Sequence, residues 1–235
     1  MKNRFVTDWN CNLLPGLSDC SDSVSSAVNC LELLRERAGF NRFCFLPEFD
    51  PDAESVSGFL LRIDHSLEEL RNAVPPSVSL IATASVRLVP ELYAYRNLRR
   101  LFLPSSHFLP VSLPPIPGET TEVDLANLVR KGSYRVLVTN AQLLTVLYPK
   151  EVRERIFRLP GLAFLFSYGI LDDPSCDVYL KHLAAAKVPV LFGSSVRSFS
   201  MAGQFDRDWL MSIARERLPD ETFRFIMNDR VLFRV

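Results

Sequence analysis

The stretch TDWNCNLLPGLSDCSDS, residues 7–23, decides how the rest of the chain is interpreted. It follows a short apolar-leaning run and places a Pro-Gly pair before a group of serines and aspartates. That order is typical of a β-strand that ends, turns and leads into a helix. Apolar residues then recur at helical spacing over 22–38, and Gly39 supplies a stop. The stretch therefore predicts a strand–turn–helix unit.

The same alternation of short apolar runs and amphipathic segments continues along the chain. It predicts strands at 4–8, 42–46, 78–88, 99–104, 134–139, 161–167 and 188–193. It predicts helices at 22–38, 52–73, 121–131, 149–157, from the Asp173 cap to about 187, and at 206–228. The proline-rich segment 104–117 is predicted to be a loop. About seven β-α units imply a parallel sheet, and we expect one α/β domain over 1–235.

Composition excludes several classes of protein. The 235 residues carry 27 basic and 27 acidic side chains, so bulk binding to nucleic acid or to a membrane surface is disfavoured. No window approaches the roughly 18 apolar residues of a spanning helix, and the N-terminus lacks an apolar signal core. The five cysteines form no pairing framework, so we expect reduced thiols. We therefore expect a soluble cytoplasmic protein.

Polar residues follow the predicted strands, where parallel barrels place their functional sites. The predicted strand ends read Asp8-Trp9-Asn10-Cys11-Asn12, Leu46-Pro47-Glu48, Thr83-Ala84-Ser85, Thr139-Asn140-Ala141-Gln142 and Gly193-Ser194-Ser195-Val196. Arg87 and Arg197 come shortly after two of these strands and are candidate anion ligands. The alternative for both arginines is an ordinary exposed position.

These motifs carry a resemblance. The chain resembles the PHP (polymerase and histidinol phosphatase) superfamily, and within it the manganese-dependent tyrosine phosphatases encoded in bacterial capsule and exopolysaccharide clusters. The family's opening Asp-x-His-x-His corresponds to the first strand end, and its turn and acidic segment correspond to "LLPGLSD" at 13–19. Its later motifs, Thr-Pro-His, Gly-Ala-Glu, Ala-His-x-Glu-Arg and Ser-Asp-x-His, correspond in order to the other four strand ends. The resemblance implies a distorted (β/α)7 TIM-like barrel of PHP type.

The departures from the family decide the expected chemistry. Family members bind divalent metals through histidines and carboxylates, whereas only Asp8 and Asp19 match here. The resemblance implies a barrel-mouth site formed by Asp8, Asn10, Asn12, Asp19, Glu48, Ser85, Arg87, Asn140, Ser194 and Arg197. Amides and hydroxyls are weak ligands for manganese, so we expect no catalytic residue, no metal and no cofactor. A weak Mg²⁺ or Ca²⁺ site at Asp19 and Glu48 is the alternative.

Three functions follow from these expectations. The first is a catalytically inactive relative of the capsule-cluster phosphatases that acts by binding. Its implied partner is a bacterial tyrosine autokinase or a component of polysaccharide export. The second is a hydrolase or phosphatase with a remodelled barrel mouth. The third is a structural or oligomer-forming protein.

Overall fold

Nine short parallel strands form the centre of the computed structural model, which describes residues 7–17, 23–220 and 222–223. They are β1 (Thr7–Asp8), β2 (Arg42–Phe45), β3 (Glu48–Phe49), β4 (Ser79–Ala82), β5 (Ser85–Arg87), β6 (Phe108–Ser112), β7 (Arg135–Val138), β8 (Leu162–Ser167) and β9 (Val190–Gly193). They form two sheets, with strand orders β1-β2-β4 and β3-β5-β6-β7-β8-β9. Residues 4–6 of the predicted first strand lie outside the described residues.

The two sheets form one closed barrel, which has seven strands when each interrupted strand is counted once. β2 and β3 are two halves of one interrupted strand, as are β4 and β5. The two interrupted strands stay joined, because the Thr83 N–H donates to Phe45 O at 3.1 Å and the Ser85 N–H to Pro47 O at 2.9 Å. Closure comes from the Trp9 N–H, which donates to Phe192 O at 3.3 Å. The predicted (β/α)7 TIM-like barrel is therefore confirmed.

Eight α-helices accompany the strands in the described part of the chain. They are α1 (Val24–Ala38), α2 (Val56–Ala73), α3 (Thr121–Arg130), α4 (Gln142–Val146), α5 (Lys150–Phe157), α6 (Asp177–Ala185), α7 (Phe199–Ala202) and α8 (Arg207–Arg217). Ser23 caps α1 by accepting from the Ser26 N–H, and Gly39 ends it at a φ of 80°. None of the helices in residues 7–17, 23–220 and 222–223 combines the length and apolarity needed to cross a bilayer.

The fourth strand is displaced from its predicted position. Residues 98–101 form a 3-10 helix, and the strand is β6, inside the proline-rich segment that the sequence pattern assigns to a loop. Pro110 is tolerated because peptide groups alternate sides along β6. Val111 O accepts from β7 (the Thr139 N–H) and Ser112 O accepts from the chain just after β5 (the Leu88 N–H), so the Pro110 nitrogen faces β5. That ladder begins only at Val111, so the missing N–H removes no ladder bond.

Alternation along the strands divides the core into two layers. Phe43 and Phe45 face outward into the larger cluster beneath the helices. Cys44 faces inward, into a smaller cluster inside the barrel that includes Trp9 and Leu165. The inner cluster fills the barrel below the carboxyl ends of the strands. Inside the barrel, the space left for a cavity is therefore above this cluster, at the mouth.

Candidate functional site

A polar cavity of about 420 Å³ opens at the carboxyl ends of the strands. Ten of its thirteen lining residues carry hydrogen-bonding or charged side chains: Asn10, Asn12, Glu48, Ser85, Ser112, Thr139, Asn140, Gln142, Ser195 and Arg197. Leu17, Leu46 and Pro47 complete the wall. The strand ends supply most of these residues because all the strands are parallel and end at the same side of the barrel.

The structure brings together six of the ten predicted site residues. These line the cavity: Asn10, Asn12, Glu48, Ser85, Asn140 and Arg197. Asp8 and Ser194 lie beneath it and are buried. Arg87 does not line it, and Asp19 lies outside the described residues.

Asp8 is a fully buried carboxylate under the cavity. Its Oδ1 accepts from the Ser194 N–H at 2.7 Å and from the Asn10 N–H at 3.2 Å. Its Oδ2 is buried and has no hydrogen-bond partner among the described residues. Burial raises the pKa of Asp8 from 3.8 to about 6, against the lowering effect of its hydrogen bonds to Ser194 and Asn10. Asp8 thus joins β1 to the end of β9 and holds the barrel closed.

Cys11 is a buried thiol close to this carboxylate. Its Sγ lies 3.9 Å from Cys44 O, at the length of a weak S–H···O hydrogen bond. Burial raises the pKa of Cys11, and the nearby Asp8 charge raises it further. A neutral buried thiol behaves as a small apolar side chain rather than as a nucleophile.

Arg87 is held by acidic side chains away from the cavity, contrary to the expectation that it points into the mouth. Its guanidinium lies 2.7 Å from Asp50 and 3.9 Å from Asp52. The Tyr95 hydroxyl donates to Asp52, and that hydrogen bond raises the pKa of Tyr95. Because this network neutralises Arg87, the arginine contributes no free positive charge to the mouth.

Asn140 is committed to the backbone of a neighbouring strand end. Its Oδ1 accepts from the Leu113 N–H at 2.9 Å, and its Nδ2 donates to Leu113 O at 2.9 Å. The amide therefore continues the pairing of β6 and β7 past the point where the backbone ladder stops. An amide bonded at both ends supports the rim and offers little to a ligand.

Two side-chain hydrogen bonds involve hydroxyl groups of the lining. Ser85 Oγ and Thr139 Oγ1 are hydrogen-bonded at 2.5 Å, with either able to donate. Ser112 Oγ donates to Glu48 Oε2 at 2.9 Å. Ser112 is absent from the predicted site because the sequence pattern favours a loop for the segment that forms β6. A prediction of strand β6 at 108–112 would have found it.

The donor set does not fit the metal centre that the resemblance implies. The described lining contains no imidazole, the carboxylate of Glu48 already accepts from Ser112, and Asn140 is bonded at both ends of its amide. Within the described ranges no group of three or more His, Cys, Asp or Glu side chains could hold a metal ion. A transition-metal site built from neutral amides and hydroxyls would be weak. The weak Mg²⁺ or Ca²⁺ site at Asp19 and Glu48 stays a prediction, because Asp19 is outside the described residues.

Comparison with known proteins supports the fold. No protein-family model matches the chain, and no curated protein matches it. It is similar in structure to the unique metal-dependent tyrosine phosphatases represented by YwqE from Bacillus subtilis and CpsB from Streptococcus pneumoniae. That match has a TM-score of 0.70 at 15% sequence identity and covers 97% of this chain and 94% of the other. The predicted resemblance is thereby confirmed at the level of the fold.

More distant matches add nothing to this conclusion. A putative galactarate dehydratase of the enolase type from Agrobacterium radiobacter has a TM-score of 0.41 at 13% identity, over 87% of this chain and 51% of that one. An uncharacterized protein has a TM-score of 0.48 at 10% identity, over 98% of this chain and 75% of that one. Neither similarity bears on the function of the cavity.

Proposed function

We propose that this chain is a catalytically inactive relative of the capsule-cluster PHP tyrosine phosphatases and acts by binding. The binding site is the cavity at the strand ends. Its partner in this proposal is the tail of a bacterial tyrosine autokinase or a component of the polysaccharide-export machinery. The shared fold supports the relationship, and the residues of the cavity support the loss of catalysis.

The donor set of the cavity is the observation that carries the proposal. A bound metal can lower the pKa of a water molecule from about 15.7 to about 7. At about 1.36 kcal/mol for each pH unit, that activation is worth about 12 kcal/mol. The described lining offers one carboxylate and no imidazole in its place. A site of this composition binds a ligand without generating hydroxide near neutral pH.

Metal analysis and a phosphatase assay together test the proposal. The protein is purified without chelator, its Mn, Fe and Zn content is measured, and hydrolysis of a phosphotyrosine peptide is followed with added Mn²⁺. CpsB from Streptococcus pneumoniae, a metal-dependent tyrosine phosphatase, is the positive control. We expect substoichiometric metal and no manganese-stimulated hydrolysis. Stoichiometric metal together with hydrolysis near the rate of the control would overturn the proposal.

One contact favours a second function, a metal-independent hydrolase with a remodelled mouth. The hydrogen bond from Ser112 Oγ to Glu48 places a hydroxyl beside a possible general base. This function requires ester or phosphomonoester hydrolysis without added metal, and that activity must disappear in both Ser112→Ala and Glu48→Gln. An activity that survives either substitution argues against the pair.

A further inference from the structure

Two amide side chains of the cavity contain acceptor oxygens without a donor. Asn10 Oδ1 and Gln142 Oε1 are buried and accept no hydrogen bond from any described residue. An unsatisfied buried acceptor is unfavourable until a donor reaches it. Rotation of the terminal amide exchanges its oxygen and its NH₂ group, so each of these residues can offer either an acceptor or a donor to a ligand. The cavity is therefore adapted to groups that both donate and accept.

The charge of the lining argues against an anionic ligand. Glu48 and Arg197 are the charged residues in the described lining, and their formal charges cancel. Arg87, the other candidate cation, is neutralised by Asp50 at 2.7 Å. Phosphate and sulfate sites are typically formed by converging guanidinium groups or backbone N–H donors. A cavity whose described lining contains one exposed arginine and one carboxylate suits a neutral ligand.

The remaining lining suits a ligand with a polar edge and an apolar face. Leu17, Leu46 and Pro47 are the apolar residues of the described lining (the apolar wall), while the hydroxyls of Ser85 and Thr139 belong to its polar part. The volume of about 420 Å³ falls within the usual range for small-molecule sites. A pyranose ring has this division, because its hydroxyls surround the edge and its C–H groups form the faces.

Resting on the proposed binding function, and on its polysaccharide-export alternative rather than on the kinase tail, we propose that the cavity recognises a neutral carbohydrate of one or two sugar rings, free or at the end of a longer glycan. Gln142 and Asn10, which line the cavity, hydrogen-bond to sugar hydroxyls after rotation of their terminal amides, because their oxygens are buried in the present conformation. The hydroxyl of Thr139 adds a further donor or acceptor. The apolar wall packs against the face of the ring.

Saturation-transfer NMR and calorimetry with a saccharide panel test this inference. The panel contains maltose, lactose, chitobiose and a longer oligosaccharide of each, with inorganic phosphate and O-phosphotyrosine as anionic competitors. The variants are Gln142→Leu, which removes the amide at similar size, and Thr139→Val, which removes a hydroxyl at similar shape. Gln204→Leu is the matched control, since Gln204 is exposed and does not line the cavity. Thermal unfolding of each variant establishes that it is folded.

We expect at least one neutral saccharide to bind, with affinity lowered about tenfold by Gln142→Leu and unchanged by Gln204→Leu. Binding of a disaccharide as tightly as its longer homologue identifies a site for a free sugar, whereas much tighter binding of the longer one identifies a glycan end. Absence of saccharide binding, or binding that Gln142→Leu and Thr139→Val leave unchanged, overturns the inference. Binding of phosphate or O-phosphotyrosine in place of saccharide, lost in Arg197→Ala, overturns it as well. Manganese-dependent hydrolysis would instead overturn the proposed function, so the two failures are distinguishable.

Discussion

Replacement of the buried carboxylate of Asp8 by an amide changes how stability depends on pH. Asp8 is fully buried and its folded-state pKa is raised from 3.8 to about 6. A raised folded-state pKa means that the folded protein binds the proton more tightly than the unfolded chain does. The site's contribution to stability is therefore fully present below pH 3.8 and is lost as the pH rises to about 6.

The size of this effect follows from the two pKa values. At about 1.36 kcal/mol for each pH unit, the difference between 3.8 and about 6 corresponds to about 3 kcal/mol. About 2.5 kcal/mol of it develops between about pH 4 and pH 7. Asp8→Asn cannot ionise, so the free energy of unfolding of the variant, relative to wild type, should rise by that amount over the same interval. The new Nδ2 adds a constant offset that cancels between the two pH values.

Urea unfolding of both proteins at the two pH values measures this difference. Asp64→Asn on the exposed side of α2 is the matched control, and we expect its offset from wild type to be the same at both pH values. Comparing variant with wild type at each pH removes the contribution of the other carboxylates. An Asp8→Asn offset that does not change with pH would refute the argument that burial penalises the Asp8 charge.

Two further substitutions test the closure of the barrel and the support of its rim. Gly193→Ala places a Cβ 2.5 Å from Asn10 N, so we expect the free energy of unfolding in urea to fall by about 1–3 kcal/mol. Gly203→Ala is the control and should be close to neutral, because its Cβ meets nothing closer than 3.5 Å. Equal losses of stability in both variants would count against crowding at Gly193. Asn140→Ala leaves the N–H and C=O of Leu113 without their side-chain partners. We therefore expect the free energy of unfolding to fall by about 2 kcal/mol and hydrogen exchange at the Leu113 amide to become faster. Unchanged exchange would show that the hydrogen bonds of Asn140 do not hold this strand end.

The fold was predictable wherever local signals agreed with one another. α1 has both a serine cap and a glycine stop, and these fix its ends within one or two residues of the predicted ones. The prediction of a fourth strand at 99–104 is wrong, because the strand lies at Phe108–Ser112, where local signals favour a loop. Pro110 argues against a strand unless the neighbouring ladder is known to begin one residue later, and that is a tertiary fact.

The position of the candidate site could be predicted from the sequence, but several of its side-chain contacts could not. Parallel strands end together, so Asn10, Glu48 and Asn140 could be placed at one mouth from their order in the chain. The direction of Arg87 could not be predicted, because it depends on Asp50 in another loop. The pairing of Asn140 with Leu113 could not be predicted either, since Leu113 follows the strand that the sequence pattern misplaces.

The double hydrogen bond of Asn140 also bears on any attempt to introduce metal-dependent catalysis by engineering. In the motif of the phosphatases that the sequence resembles, this position corresponds to a histidine, so such a design would begin by installing imidazole here. An imidazole cannot reproduce the amide's side-by-side donor and acceptor toward Leu113. Metal binding at this residue would therefore require a new anchor for the chain after β6 before any ion could bind.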